Sequence, residues 1–144
     1  MRRNLELNLG KVCNNRCILC LDTRAPRESR RWVPLARAEA ELQRGRADGA
    51  DSLGLLGGEP TAHPNILEII NLARDLGYAR IAVSTNAIKL ADAEFAEEVV
   101  RAGATRFSVS IHGHTPELED HISGRDGNFR RKLAAIRNLV RLRD

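Results

Sequence analysis

All three cysteines of the chain fall within eight residues, Cys13-Asn14-Asn15-Arg16-Cys17-Ile18-Leu19-Cys20. Thiolate sulfur is the protein ligand of iron–sulfur clusters, and a [4Fe–4S] cluster ordinarily takes four such ligands. The C-x3-C-x2-C spacing gathers three thiolates, at Cys13, Cys17 and Cys20, and there is no fourth cysteine. Three thiolates leave one iron open to a small chelating ligand, much as a catalytic zinc keeps a position open for water or substrate. Zinc itself is the alternative metal. It needs a fourth nitrogen or sulfur ligand, and His63, far along the chain, is the candidate. The odd cysteine count and tight spacing argue against a secreted disulfide framework.

Three further segments carry polar or conformationally permissive residues where strands are expected to end. Gly57-Gly58-Glu59-Pro60 follows the second strand. Paired glycines let a ligand come close to the backbone and allow unusual φ values, and Glu59 supplies an acceptor for a positive group. As a bland alternative, the pair makes an ordinary loop and Glu59 is an acid at a helix N-terminus. Ser84-Thr85-Asn86 ends the third strand, with Ser84 and Asn86 on its polar side, or else serves only to cap a turn. Ser110-Ile111-His112-Gly113-His114 ends the fourth. A histidine at 112 can move protons near neutral pH; His114 and His121 read as loop histidines facing solvent.

The elements that must position these groups alternate strand and helix four times. Strands are expected at Asn4–Leu9, Asp51–Leu56, Arg80–Thr85 and Thr105–Ile111, and helices at Pro34–Ala47, Pro64–Leu76, Asp92–Ala102 and Asn128–Leu142. Proline near the first turn and glycine after the last punctuate them. Ile66, Ile69, Ile70 and Ala73 recur on one face of the second helix; Phe95, Val99 and Ala102 on one face of the third; Leu133, Ile136, Leu139 and Val140 on one face of the last. Such alternation implies parallel strands joined by right-handed crossovers. Leu5, Leu7 and Leu9 share one side of the first strand while Asn4, Glu6 and Asn8 share the other, and Phe107, Val109 and Ile111 oppose Ser108, Ser110 and His112. A doubly wound sheet, covered on both faces, would show continuous apolar runs. One apolar and one polar side fits a curved, barrel-like sheet whose lumen holds ligand and water. A full (β/α)8 barrel takes about 250 residues, or roughly 31 per unit, so the expectation is an α/β partial barrel of about four units in a single domain, 1–144, with a cysteine-bearing loop at 10–33.

The cysteine spacing, its place after the first strand, and the Gly57-Gly58-Glu59-Pro60 segment resemble the radical S-adenosylmethionine (radical SAM) superfamily. The resemblance covers nearly the whole chain. It implies a [4Fe–4S] cluster held by Cys13, Cys17 and Cys20 with SAM on the open iron through its amino and carboxylate groups. It implies a reduced cluster that cleaves SAM to methionine and a 5′-deoxyadenosyl radical, which abstracts hydrogen from a substrate. By the same resemblance Leu19 lies beside the adenine, where the family usually has an aromatic residue. Gly57, Gly58, Glu59 and Pro60 take the amino group, Ser84 and Asn86 match a Thr-Asn-Gly segment with Ala87 in place of its glycine, Ser110 touches SAM, and His112 stands near the substrate. An electron donor such as flavodoxin or ferredoxin is implied as partner. The family's core is a six-unit partial barrel, so the chain, ending at Asp144 after its fourth helix, is expected to be truncated, with the first and fourth strands as bare edges that a partner or self-association would cover.

Composition narrows the classes further. With 144 residues, 42% hydrophobic and 29% charged, the chain suits one globular domain. No apolar run reaches the length of a membrane span or is flanked like a signal peptide, so no membrane partner and a cytoplasmic location are expected. The net charge is +4, and much of the positive charge lies in Arg24, Arg27, Arg30 and Arg31, and in Arg130, Arg131, Lys132, Arg137, Arg141 and Arg143. These read as a polar loop and solvated helix faces. One Trp, one Tyr and three Phe leave little material for stacking bases, which argues against nucleic acid as partner. No G-x-G-x-x-G follows the first strand, which argues against a dinucleotide oxidoreductase. The functional alternative to an enzyme is a non-catalytic iron–sulfur or SAM-binding module.

Overall fold

The computed structural model describes residues 3–143, the Thr23 side chain excepted; the ends of the expected 1–144 domain, Met1, Arg2 and Asp144, lie outside them. Four strands, β1 (Arg3–Asn8), β2 (Ala50–Leu56), β3 (Arg80–Thr85) and β4 (Arg106–Val109), form one sheet in the order β1-β2-β3-β4, every neighbouring pair parallel. Helices α1 (Leu35–Ala47), α2 (Ile66–Asp75) and α3 (Ala93–Ala102) make the crossovers, and α4 (Pro116–Ser123) and α5 (Asn128–Arg143) follow β4. β1 and β4 are the edges, as the four-unit reading expects.

The period-two pattern decides which side of the sheet is covered. Leu7, Leu53, Leu55, Ile81 and Val83 are buried against Ala38 and Leu42 of α1, Ile66, Ile69, Ile70 and Ala73 of α2, and Ala96, Val99 and Ala102 of α3. A fully buried Leu or Ile contributes about 1.5–3 kcal/mol, so this layer holds the fold. On the opposite side Asn4, Glu6, Asn8 and Ser108 are exposed. That polar side is the concave, lumen-facing one expected from the strand pattern.

Four expectations change. The eight-residue α4 was not foreseen. Its signals are present in Thr115, whose hydroxyl accepts from the Leu118 N–H, in Pro116 at its first position, and in Gly124, which stops it at φ 69°. Its buried residues, however, are Glu119 and Ser123, while Leu118 is exposed, so it shows no apolar stripe. The inward face of α5 is centred on Asn128, Lys132 and Ala135, with Leu139 of the expected stripe half-buried against the core and Val140 53% exposed. Lys132 is accordingly buried and not part of a solvated helix face. Finally, β4 stops at Val109 instead of Ile111. Its ladder with β3 ends at Thr85↔Val109, and the chain beyond turns away to expose Ile111.

Candidate active site

The loop after β1 is closed at its base. Gly10 and Trp32 form an antiparallel bridge, the Lys11 N–H donates to Arg31 O (3.2 Å) and the Val33 N–H to Leu9 O (3.0 Å). Within it the Arg-rich stretch makes two short turns, and Arg30 donates back to Ala25 O through Nε (3.2 Å) and Nη2 (2.9 Å). The cysteine segment leans on the α4–α5 corner: the Arg16 N–H donates to Ser123 O (3.2 Å), the Ile18 N–H to Ile122 O (2.9 Å), and Arg125 Nη1 to Asn14 O (3.2 Å).

Cys13, Cys17 and Cys20 are half-buried, none is in a disulfide, and all three line one cavity of about 330 Å³. Leu19, Gly57, Gly58, Glu59, Ser84, Thr85, Asn86, Ser110, His112 and Lys132 complete its wall. The loop after β1 and the ends of β2, β3 and β4 therefore bring together the residues expected to bind the cluster and SAM, Pro60 excepted, together with His112. That proline is buried and opens the short turn Pro60–Ala62 behind the wall. Leu19 is 74% exposed and sits at the mouth; the His112 side chain is exposed there too.

Gly57 and Gly58 do something the sequence reading did not assign. The Gly58 N–H donates to Gly10 O (2.8 Å) and the Glu59 N–H to Val12 O (2.9 Å). Gly57 has φ 142°, and a Cβ on it would lie 2.7 Å from Gly10 O; one on Gly58 would overlap Val12 O. The close approach is made by the cysteine loop's own backbone. Glu59 is nearly fully buried and ties β2 to β3. Its Oε1 accepts from the Thr61 N–H (3.0 Å), Thr61 Oγ1 (2.6 Å) and Thr85 Oγ1 (2.6 Å), and its Oε2 from the Asn86 N–H (2.6 Å). Asn86 in turn reaches the cysteine loop, its Nδ2 donating to Asn14 Oδ1 (2.7 Å) with Cys13 Sγ at 3.7 Å. Ala87 keeps the left-handed turn at φ 64°, with the Ala87 N–H donating to Thr85 Oγ1 (2.9 Å). An L-residue pays about 1–2 kcal/mol for that region.

Two residues missed from the sequence hold the β4 end. Glu119 Oε2 accepts from the N–H groups of His112 (2.6 Å) and Gly113 (2.8 Å), and Oε1 pairs with Lys132 Nζ, which also donates to Ser110 O (2.7 Å). Burial raises the Glu119 carboxyl, but the Lys132 ammonium and the two N–H donors outweigh it and hold it below the ordinary carboxylate range. The one sequence signal for Lys132 was its place four residues before Ile136 and seven before Leu139. Burial likewise pushes the Cys13 and Cys17 thiols up, opposed at Cys13 by the Asn15 N–H and at Cys17 by Lys132.

The donor set fits an iron–sulfur cluster. Three thiols, with no fourth, line one open-sided cavity, which is the donor set that leaves one iron of such a cluster free. His63 lies outside that cavity; its Nε2 donates to Val33 O (2.8 Å), its Nδ1 accepts from the Asn65 N–H (3.0 Å), and Trp32 packs edge-on at 5.0 Å. Both ring nitrogens are thus engaged, and the histidine is not placed to complete a zinc site.

The Radical SAM superfamily profile matches residues 7–143. The chain belongs to that superfamily. It is 34% identical over 139 residues to the AdoMet-dependent heme synthase of Methanosarcina barkeri, across 93% of this chain and 37% of that protein. It is 34% identical over 129 residues to a probable GTP 3′,8-cyclase of Thermococcus kodakarensis, across 86% of this chain and 39% of the relative. The chain therefore spans about two fifths of the length of these relatives. Among solved structures, Streptococcus suis SuiB bound to S-adenosylmethionine superposes with a TM-score of 0.75 over 99% of this chain and 32% of SuiB, at 21% identity; that likeness shows the fold. For a radical SAM protein, the cavity among the cysteines and the three strand ends lies where parallel-barrel sites form, at the C-terminal ends of the strands. No helix among the described residues is long and apolar enough to cross a membrane.

Proposed function

We propose that the chain is the N-terminal part of a radical SAM enzyme core, with loop 10–33 holding a [4Fe–4S] cluster through Cys13, Cys17 and Cys20. The observation that carries this reading is that three thiols without a fourth line a single cavity with Glu59, Asn86, Ser110 and His112. When bound, the cluster supplies the electron that cleaves SAM to methionine and a 5′-deoxyadenosyl radical able to take hydrogen from a substrate. The chain's own part is placement. The carbonyls of Gly57 and Gly58 and the remaining acceptor capacity of Glu59 suit the SAM ammonium. Ser84, Asn86 and Ser110 offer hydrogen bonds to the ribose, and Leu19 covers the adenine. His112, exposed at the mouth, serves a substrate proton. The electron comes from a donor such as flavodoxin or ferredoxin.

A second reading, a cluster- and SAM-binding module without turnover, is favoured by the unpaired edge of β4, where Phe107 and Val109 on its apolar side line an open groove of about 450 Å³ with residues of α3 and α5. In either reading that edge takes a cover, from the rest of a longer chain, from a partner or from self-association. The test common to both is anaerobic reconstitution followed by electron paramagnetic resonance. SAM added to the reduced cluster should change its spectrum, as direct binding to the open iron requires. A full complement of iron with a spectrum indifferent to SAM would contradict the assignment.

A further inference from the structure

The positive charge of the chain is not spread evenly. Residues 10–33 hold six basic residues, Lys11, Arg16, Arg24, Arg27, Arg30 and Arg31, against Asp22 and Glu28. That is a net of +4, the net charge of the whole chain, and the other 120 residues balance at seventeen of each sign. The loop that carries the cysteines therefore carries the excess charge. Arg16, Arg24, Arg27 and Arg31 are exposed, and the one ion pair among the described residues of the loop joins Lys11 to Asp22 across 3.9 Å. The same loop exposes apolar surface. Ile18, Leu19 and Leu21 are large exposed side chains within four consecutive positions, Leu21 at 83%. Single exposed leucines are ordinary, but a group of them rimmed by charge marks a surface that meets a partner.

This surface belongs to the segment that holds the thiols. Cys13 and Cys20 line the main cavity and also a small one of about 60 Å³, whose walls include Lys11, Asp22 and Arg30. Two of the three thiols are thus reached from the basic turns of the loop as well as from the main cavity. We propose that the loop surface around Ile18, Leu21, Arg24 and Arg27 is the docking face for an acidic one-electron carrier protein. Electron transfer weakens steeply with distance, so a carrier must seat against the surface nearest the cluster ligands, and loop 10–33 is that surface. The mouth by His112 is left to SAM and substrate. One electron leaves the carrier's reduced cofactor, which is oxidised, and enters the cluster, which is reduced; no bond forms or breaks. An acidic partner is steered to the arginines and compensates them, whereas a basic one is repelled.

The inference rests on the cluster assignment above, and its test keeps the two apart. Four chains are reconstituted anaerobically and checked for iron and fold: wild type, Arg24→Glu with Arg27→Glu, Leu21→Ser, and a control, Arg130→Glu with Arg137→Glu, whose exposed α5 arginines give the same change of net charge. Oxidised flavodoxin, an acidic flavin carrier, is titrated into each by calorimetry. Cluster reduction by reduced flavodoxin and by dithionite is followed by stopped-flow absorbance. The wild-type rate with flavodoxin should fall about tenfold as ionic strength rises from about 0.01 to about 0.15 M. The Arg24 and Arg27 reversal should lower affinity and rate about tenfold at low salt and flatten that dependence. Leu21→Ser should weaken binding severalfold with the salt dependence kept. Dithionite should reduce all four chains alike, and the control should behave as wild type with flavodoxin. Equal slowing in the control overturns the proposal, because net charge alone would then act. A reversal that slows dithionite as much as flavodoxin overturns it as well, since the substitution would then act on the cluster. Wild-type affinity and rate in both loop variants also overturn it, and loss of binding to single-stranded RNA in the reversed chain would then assign the loop to nucleic acid. Wild type that takes up no cluster overturns the cluster assignment, and this inference with it.

Discussion

Gly58 is where a one-carbon change should tell most about the site. Its Cβ would occupy the place of Val12 O, at the point where the β2 turn supports the cysteine loop. Gly58→Ala is expected to destabilise the fold by about 1–3 kcal/mol, as overpacking does, and to lower iron retention after gel filtration at least severalfold. Equal stability and full iron content would mean that the two loops are not held by this contact. Glu59 illustrates how one carboxylate serves two ends: it braces Thr61, Thr85 and Asn86 while one face still lines the cavity. The type of these residues and their place at strand ends were legible in the sequence, because glycine pairs and short polar residues mark strand termini. Which backbone a glycine would face was not, since that depends on a contact between segments more than forty residues apart.

At the scale of elements, the α4–α5 corner is the least expected part of the fold. It holds β4's exit through Glu119 and Lys132, both buried. Lys132→Met should cost about 3–5 kcal/mol in chemical denaturation, because it leaves the Glu119 carboxylate buried without its cation. Pairing it with Glu119→Gln should restore most of the loss, and additive losses would refute the coupling. Asp120 caps the next turn, its Oδ1 accepting from the Phe129 N–H (2.8 Å) and its Oδ2 from the Gly127 N–H (2.6 Å), and these donors hold its carboxyl below the ordinary range. Glu119 is lowered as well. A carboxyl with a folded pKa below its unfolded one contributes fully above the unfolded value, about 4, and loses that contribution as pH falls through the folded one. Stability should therefore be flat from pH 7 to about 5 and decline below 4, and Asp120→Asn should make that decline shallower; an equally steep loss in the variant would contradict it. Strand order, three crossover helices and the apolar face of α2 followed from periodicity. α4 and the inward face of α5 did not, because buried polar residues, Glu119, Ser123, Asn128 and Lys132, replace the apolar stripe on which periodicity depends.

For the whole molecule, a four-stranded parallel sheet covered by helices on one side leaves its polar side open, with the thiol-lined cavity at the strand ends. The chain spans about two fifths of the length of two relatives in the superfamily, and β1 and β4 are the edge strands of its sheet among the described residues. We propose that this chain places SAM on a three-cysteine cluster and cleaves it. The most direct measurement is 5′-deoxyadenosine formed from SAM by the anaerobically reconstituted, reduced chain, alongside Cys17→Ala. Product is expected in the wild-type chain and none above background in the variant. A chain that carries the full cluster and binds SAM yet yields no product, or a Cys17→Ala variant that yields as much as wild type, would contradict it.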